Sequence, residues 1–147
     1  MNNPERALEL FANGLNCSQA LLTLFGKRYG LDSAMAGALG RPLGGGMGHL
    51  ARTCGAVVAA VLLLGMATDA QEETEARTAS DVSVREFFRR FERRHGTTEC
   101  KELLGVDMST EEGMKRIRAE KLVQKRCPAF VEDAAGILDE LLSTDIQ

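Results

Sequence analysis

Apolar residues return every three or four positions along nearly the whole chain, and no stretch alternates as a half-buried strand does. The pattern predicts a succession of helices. Pro4 suits a first turn, Ala7, Leu8, Leu10 and Phe11 form the apolar side, and Gly14 ends the first helix. Asn16 is a good N-cap for a second helix that begins at Cys17, carries Ala20, Leu21, Leu24 and Phe25, and ends at Gly30. Asp32 or Ser33 opens a short third helix through Leu39. A central apolar helix is expected from about His49 to Met66, and Thr68 and Asp69 should open a long polar helix to about Arg94, closed by Gly96. Thr98 is expected to cap a short helix over Cys100 to Leu104, and Ser109 or Thr110 the next, with Glu111 and Glu112 at its positive end. Cys127-Pro128 should open the last helix, which buries Phe130, Val131, Ala134, Ile137, Leu138, Leu141 and Leu142. With no internal repeat or linker, the expected architecture is all-α: one multi-helix domain over residues 1–147, bundled around a central buried apolar helix.

Two stretches break the amphipathic rhythm. Ala56 to Ala67 reads AVVAAVLLLGMA, 12 apolar residues without interruption. A bilayer-crossing helix needs roughly 20, so this run predicts a buried central helix and no membrane span. Before it comes Gly40-Arg-Pro-Leu-Gly44-Gly45-Gly46-Met-Gly48, whose glycines free the backbone for left-handed angles and close approach.

Composition narrows the function classes. The net charge of −3 gives no electrostatic footprint for nucleic acid. Arg85, Arg89, Arg90, Arg93 and Arg94 interleave with Phe87, Phe88 and Phe91, but Val84, Phe88 and Phe91 share one helical face, leaving the arginines as a solvated side. The glycine stretch lacks the lysine, the Ser/Thr and the preceding strand of a P-loop. His49 borders that stretch as a surface or capping residue, with a ligand or proton-donor role as the alternative, and His95 reads as a helix-end cation when protonated. The polar start Met1-Asn-Asn-Pro-Glu-Arg lacks the order of a secretory signal, so a cytoplasmic location is expected, where thiols stay reduced unless catalytic, sensing or metal-bound.

The candidate chemistry lies in four cysteines, Cys17, Cys54, Cys100 and Cys127, spaced 37, 46 and 27 positions apart in turn. No CxxC pair exists, so joint action requires the fold to gather them. Cys17, Cys100 and Cys127 are placed at expected helix starts, where unpaired amides and the helix dipole favour a thiolate. Such a site takes a thiol from about 8.5 to somewhere between roughly 7 and 8.3. Cys54, near the start of the apolar helix, is expected to be the most buried of the four.

Taken in order, Gly14-Leu-Asn16-Cys17-Ser-Gln19-Ala20, Gly44-Gly45-Gly46-Met47-Gly48, Cys54-Gly55-Ala56, Glu99-Cys100-Lys-Glu-Leu103-Leu-Gly105 and a late Cys127 resemble the C_GCAxxG_C_C family of small bacterial and archaeal redox-active proteins. The resemblance covers about residues 4 to 142, and all four family cysteines map onto Cys17, Cys54, Cys100 and Cys127. It implies redox activity and, since members are often encoded near transporter genes, a transporter component as partner. One position departs: the motif's closing glycine is Ala59 here. A helix contact there tolerates a methyl, whereas a ligand or cluster at that point would find a narrower site.

Three readings follow. In the first, the protein performs thiol–disulfide redox chemistry with a redox partner protein: Cys17 attacks, Cys54 resolves, and glycine amides steady the thiolate. In the second, all four cysteines hold zinc or an iron–sulfur cluster. Gly44, Gly45, Gly46, Gly48 and Gly55 are the positions that would bring backbone amides to the sulfurs in either case. In the third, the chain is a regulatory subunit of a transport system and displays an apolar patch of its central helix. Four cysteines permit three pairings, and the residues imply no particular oligomeric state.

Overall fold

The computed structural model describes residues 1–143. Eight α-helices follow one another within them: α1 (Asn3–Ala12), α2 (Cys17–Gly26), α3 (Ser33–Gly40), α4 (Gly55–Ala67), α5 (Glu73–His95), α6 (Cys100–Leu104), α7 (Glu111–Glu120) and α8 (Leu122–Ser143). The fold is all-α, as the hydrophobic periodicity predicts, and the last four residues of the expected domain lie outside the described residues. No described helix is long and apolar enough to cross a membrane.

Local chemistry sets most helix starts. Asn2 with Glu5 and Asn16 with Gln19 form reciprocal capping boxes, while Asp32 and Thr110 accept from the amides of Met35 and Gly113. α4 runs through the centre against α2, α5 and α8, and α1 lies across α8 and α2. Ala56, Ala59, Ala60 and Leu63 are fully buried on α4, and the three alanines are small enough to let neighbouring backbones come close. Ala59 is thus a core methyl at a helix contact. From α5, Phe87 and Phe91 enter the core, and the ring of Phe91 meets Phe130 of α8 at 6.4 Å. Each fully buried ring contributes roughly 1.5–3 kcal/mol. These two phenylalanines, rather than Val84 and Phe88, centre the buried face, and Arg89, Arg90 and Arg94 pair with Glu86, Glu140 and Asp133 on the solvated side.

Several expected boundaries shift, each for a tertiary reason. α4 begins at Gly55 rather than His49, because residues 45–49 turn left-handed instead. Thr68 closes α4, its hydroxyl donating to the Leu64 carbonyl, so α5 begins only at Glu73. Glu99, not Thr98, occupies the N-cap position of α6. Most consequentially, Cys127 does not open a helix. α8 starts at Leu122, whose side chain is buried, and Cys127 and Pro128 fall inside the helix. Burial of Leu122 and packing of Val123 extend the helix ahead of a proline that local rules place in a first turn. The central helix is enclosed for most of its length but surfaces at Leu62 and Met66.

Candidate functional site

Three devices bring distant cysteines together. The first fixes Cys17 at the start of α2. Asn16 Oδ1 accepts from the Gln19 amide at 2.8 Å, and its Nδ2 donates to the carbonyls of Gly40 and Arg41 at 3.2 and 3.3 Å. Gln19 Nε2 donates to the Gly37 carbonyl at 3.0 Å. One capping box therefore both starts the helix and ties it to α3.

The second device is the glycine stretch. Gly45, Gly46, Met47, Gly48 and His49 have consecutive φ values of 64°, 72°, 65°, 58° and 58°, a single left-handed turn. For a residue with a Cβ this costs roughly 1–2 kcal/mol, so three glycines remove most of the strain and leave it at Met47 and His49. The turn is held by amide hydrogen bonds from His49 to Gly44, Ala51 to Gly45 and Arg52 to Gly46, at 3.0–3.2 Å. It delivers the chain to Cys54 in a course that no right-handed helix would follow.

The third device joins Cys54 to Cys100. Thr53 and Glu99 form an isolated antiparallel bridge. The Cys54 amide donates to the Thr98 carbonyl and the Cys100 amide to the Arg52 carbonyl, both at 2.7 Å, and Thr53 Oγ1 donates to Glu99 Oε2 at 3.0 Å. These bonds close a gap of 46 positions in sequence.

All four cysteines line one cavity of about 770 Å³, together with Gly44, Gly45, Gly46, Gly55 and His49. Gly48 is outside that lining, on the exposed side of the turn, where its amide donates to the Pro42 carbonyl. The four sulfurs are free thiols: Cys54 and Cys100 are buried, Cys17 and Cys127 partly so.

The sulfurs are not equivalent. A hydrogen bond from the Cys54 thiol holds Cys17 below its ordinary value; burial opposes this, and the Ser18 hydroxyl with the amides of Ser18 and Ala56 adds to it. Those two amides belong to the starts of α2 and α4, so two helix termini meet at Cys17. Ser18 Oγ is fully buried without a partner in the observed rotamer. Turned to the adjacent sulfur, it is satisfied by the Cys17 thiolate. Cys54 is pushed well up, first by its hydrogen bond to Cys17, then by burial and the charge of Cys17, against the amides of Ala56 and Val57.

Burial raises Cys100 to about 11 and Cys127 to about 12, with the charge of Cys17 adding to each. The expected helix-start activation is thus overcome at Cys100 by desolvation, and at Cys127 the helix start does not exist. A thiol kept neutral by burial binds its proton more tightly in the folded chain than in the unfolded one. Its contribution to stability is complete below pH 9.0 and is lost as pH rises through about 11 for Cys100 and about 12 for Cys127. Urea unfolding across that window should therefore show a fall in stability that is shallower in Cys100→Ala/Cys127→Ala, and equal slopes for the two proteins would contradict the assignment.

Among the described residues, no group of three or more His, Cys, Asp or Glu side chains is placed to hold a metal ion. The same four cysteines nonetheless share one cavity.

Sequence reasoning missed the apolar wall of the cavity, built by Leu8 and Phe11 of α1 and by Phe130 of α8, and it missed the buried hydroxyl of Ser18. The spacing Asn16-x-x-Gln19 is a visible capping-box signal; nothing in the sequence points to the Thr53–Glu99 bridge.

A family model described as "Putative redox-active protein (C_GCAxxG_C_C)" matches residues 15–141. No curated protein and no solved structure matches the chain.

Proposed function

The chain belongs to the C_GCAxxG_C_C family, and on that premise we propose that it is a dithiol redox protein in which Cys17 attacks and Cys54 resolves. The observation that carries this reading is the asymmetric pair: one thiol lowered and its hydrogen-bonded neighbour raised, each largely by the other. The asymmetry orders the chemistry. While Cys17 is a thiolate, its charge keeps the Cys54 proton in place. Once Cys17 is consumed in a mixed disulfide, both the hydrogen bond and the charge that raised Cys54 are gone. Desolvation then remains, countered by the amides of Ala56 and Val57, and Cys54 can lose its proton and attack the Cys17 sulfur. Resolution is thereby held back until there is a mixed disulfide to resolve.

Zinc or cluster chemistry gains no support from the donor arrangement among the described residues. Cys100 and Cys127, both raised, read as a neutral thiol wall of the same cavity.

The test is disulfide mapping. The reduced protein, treated with one equivalent of a disulfide oxidant and digested without reductant, should yield a peptide linking Cys17 to Cys54 as the first product. A first link between any other two cysteines would sink the assignment of roles.

A further inference from the structure

The cavity also carries a statement about what it accepts. Its volume of about 770 Å³ lies within the range that encloses a drug-sized molecule. Although 27% of the chain is charged, no Asp, Glu, Lys or Arg lines it among the described residues. The walls are mainly aliphatic and aromatic, with Leu8, Phe11, Leu103 and Phe130 typical of them. Of the polar lining side chains, Asn16 and Gln19 are already committed to each other and to the carbonyls of Gly37, Gly40 and Arg41. That leaves Gln124 and His49, both solvent-exposed and so able to serve only the mouth.

A charged ligand entering this space would lose hydration and meet no countercharge except a thiolate, a cost of several kcal/mol. An uncharged apolar one would gain from the same walls. Resting on the dithiol reading above, we propose that the cavity binds a small, uncharged, largely apolar disulfide, RSSR, as the oxidant of the Cys17–Cys54 pair.

The reaction closes without another participant. The Cys17 thiolate attacks one substrate sulfur, a Cys17–SR bond forms, the substrate S–S bond breaks, and RS⁻ leaves toward the mouth, where water protonates it. Cys54, losing its proton to that solvent, attacks Cys17 Sγ; the Cys17–SR bond breaks, the Cys17–Cys54 bond forms, and the second RS⁻ takes up a proton. Two protein thiols are oxidised and one substrate disulfide is reduced to two thiols.

The experiment compares three disulfides on the fully reduced protein: uncharged dipyridyl disulfide, the dianionic bis(nitrobenzoate) disulfide, and oxidised glutathione as a charged peptide disulfide. Each rate is divided by that of the same probe with the guanidinium-unfolded chain, which removes intrinsic reactivity. High salt screens the net charge of −3. The normalised rate should favour the uncharged probe over both charged ones by at least about tenfold, with the Cys17–Cys54 peptide as product. Equal normalised rates with that peptide still formed would overturn the substrate class and leave the dithiol reading standing. A preference for oxidised glutathione would overturn it in favour of peptide or protein disulfides. If no probe yields the Cys17–Cys54 link, the dithiol reading itself fails, and the proposal fails with it.

Discussion

Replacing Cys17 by serine should lower the rate of disulfide exchange at neutral pH by at least about tenfold and eliminate the internal disulfide. The argument is a comparison of thiolate populations. Cys17 is lowered by its hydrogen bond from Cys54 whereas burial raises Cys100 to about 11, so Cys17 carries the larger thiolate population at pH 7. The greater intrinsic nucleophilicity of a higher-pKa thiolate returns only part of that difference, and the burial of Cys100 widens the gap again. Cys54 is the sulfur to watch in this variant, because removal of Cys17 also removes the main causes that raise it. The partner substitution separates the roles. Cys54→Ser should react once and stop, releasing one small thiol per chain where the parent releases two, with the other half of the probe retained on Cys17. Stopped-flow release of a chromophoric thiol, with intact mass, reads both effects. Parent-like exchange in Cys17→Ser, or two thiols released by Cys54→Ser, would exchange or dissolve the assigned roles.

The second large effect concerns a residue with no reactive group. A Cβ built on Gly55 stands 2.5 Å from Ser18 Oγ, 2.7 Å from the Leu43 carbonyl oxygen and 2.8 Å from Cys17 Sγ. The Leu43 carbonyl is backbone and cannot step aside without moving the chain. Gly55→Val should cost about 2–3 kcal/mol through overpacking, a fall in Tm of about 4–12 °C for a chain of this size. It should also push the start of α4 away from α2 and so separate Cys17 from Cys54. Gly55→Ala acts in the same direction with a smaller effect. Thermal unfolding together with the rate of Cys17 alkylation tests this; a variant with parent-like Tm and alkylation rate would show that α4 does not press on the Cys17 sulfur. The glycine after Cys54 is thus the point where two helix starts come close enough to share one thiolate, whereas Ala59, one turn further along, is a core methyl away from the sulfurs.

Much of the fold was legible in the sequence because it rests on local chemistry. The cap at Asn16 was readable and those at Asp32 and Thr110 to within one residue, since a side-chain oxygen reaching an amide two or three residues on needs no distant partner. The buried side of α8 followed from periodicity alone. The misplaced starts are those where something distant decides. Burial of Leu122 and packing of Val123 carry α8 past its proline, and bonding of Thr68 to Leu64 and Ser80 assigns that residue to the end of α4. The left-handed turn lay in between: its glycines announced a freedom of φ, but only the amide bonds from His49, Ala51 and Arg52 select the turn actually made.

For the candidate site, the sequence by itself determined which sulfurs exist, that Cys17 follows a sound helix cap, and that glycines precede and follow Cys54. It did not determine how the four thiols differ. Cys100 does stand at a helix start, and its thiol is nonetheless driven up, because removing a charge from water outweighs the field of one short helix. Cys17, also facing the cavity, goes the other way because a second helix start, a buried hydroxyl and the thiol of Cys54 converge on it. Ser18 is its sequence neighbour, but the Cys54 thiol and the start of α4 are brought there by the Thr53–Glu99 bridge, the left-handed turn and the missing side chain at Gly55. Ordering the reactivity of the sulfurs was therefore the work of the tertiary structure: a thiol pKa is set by every dipole, charge and water molecule within a few ångströms, and in this chain most of that surrounding comes from residues far away in sequence.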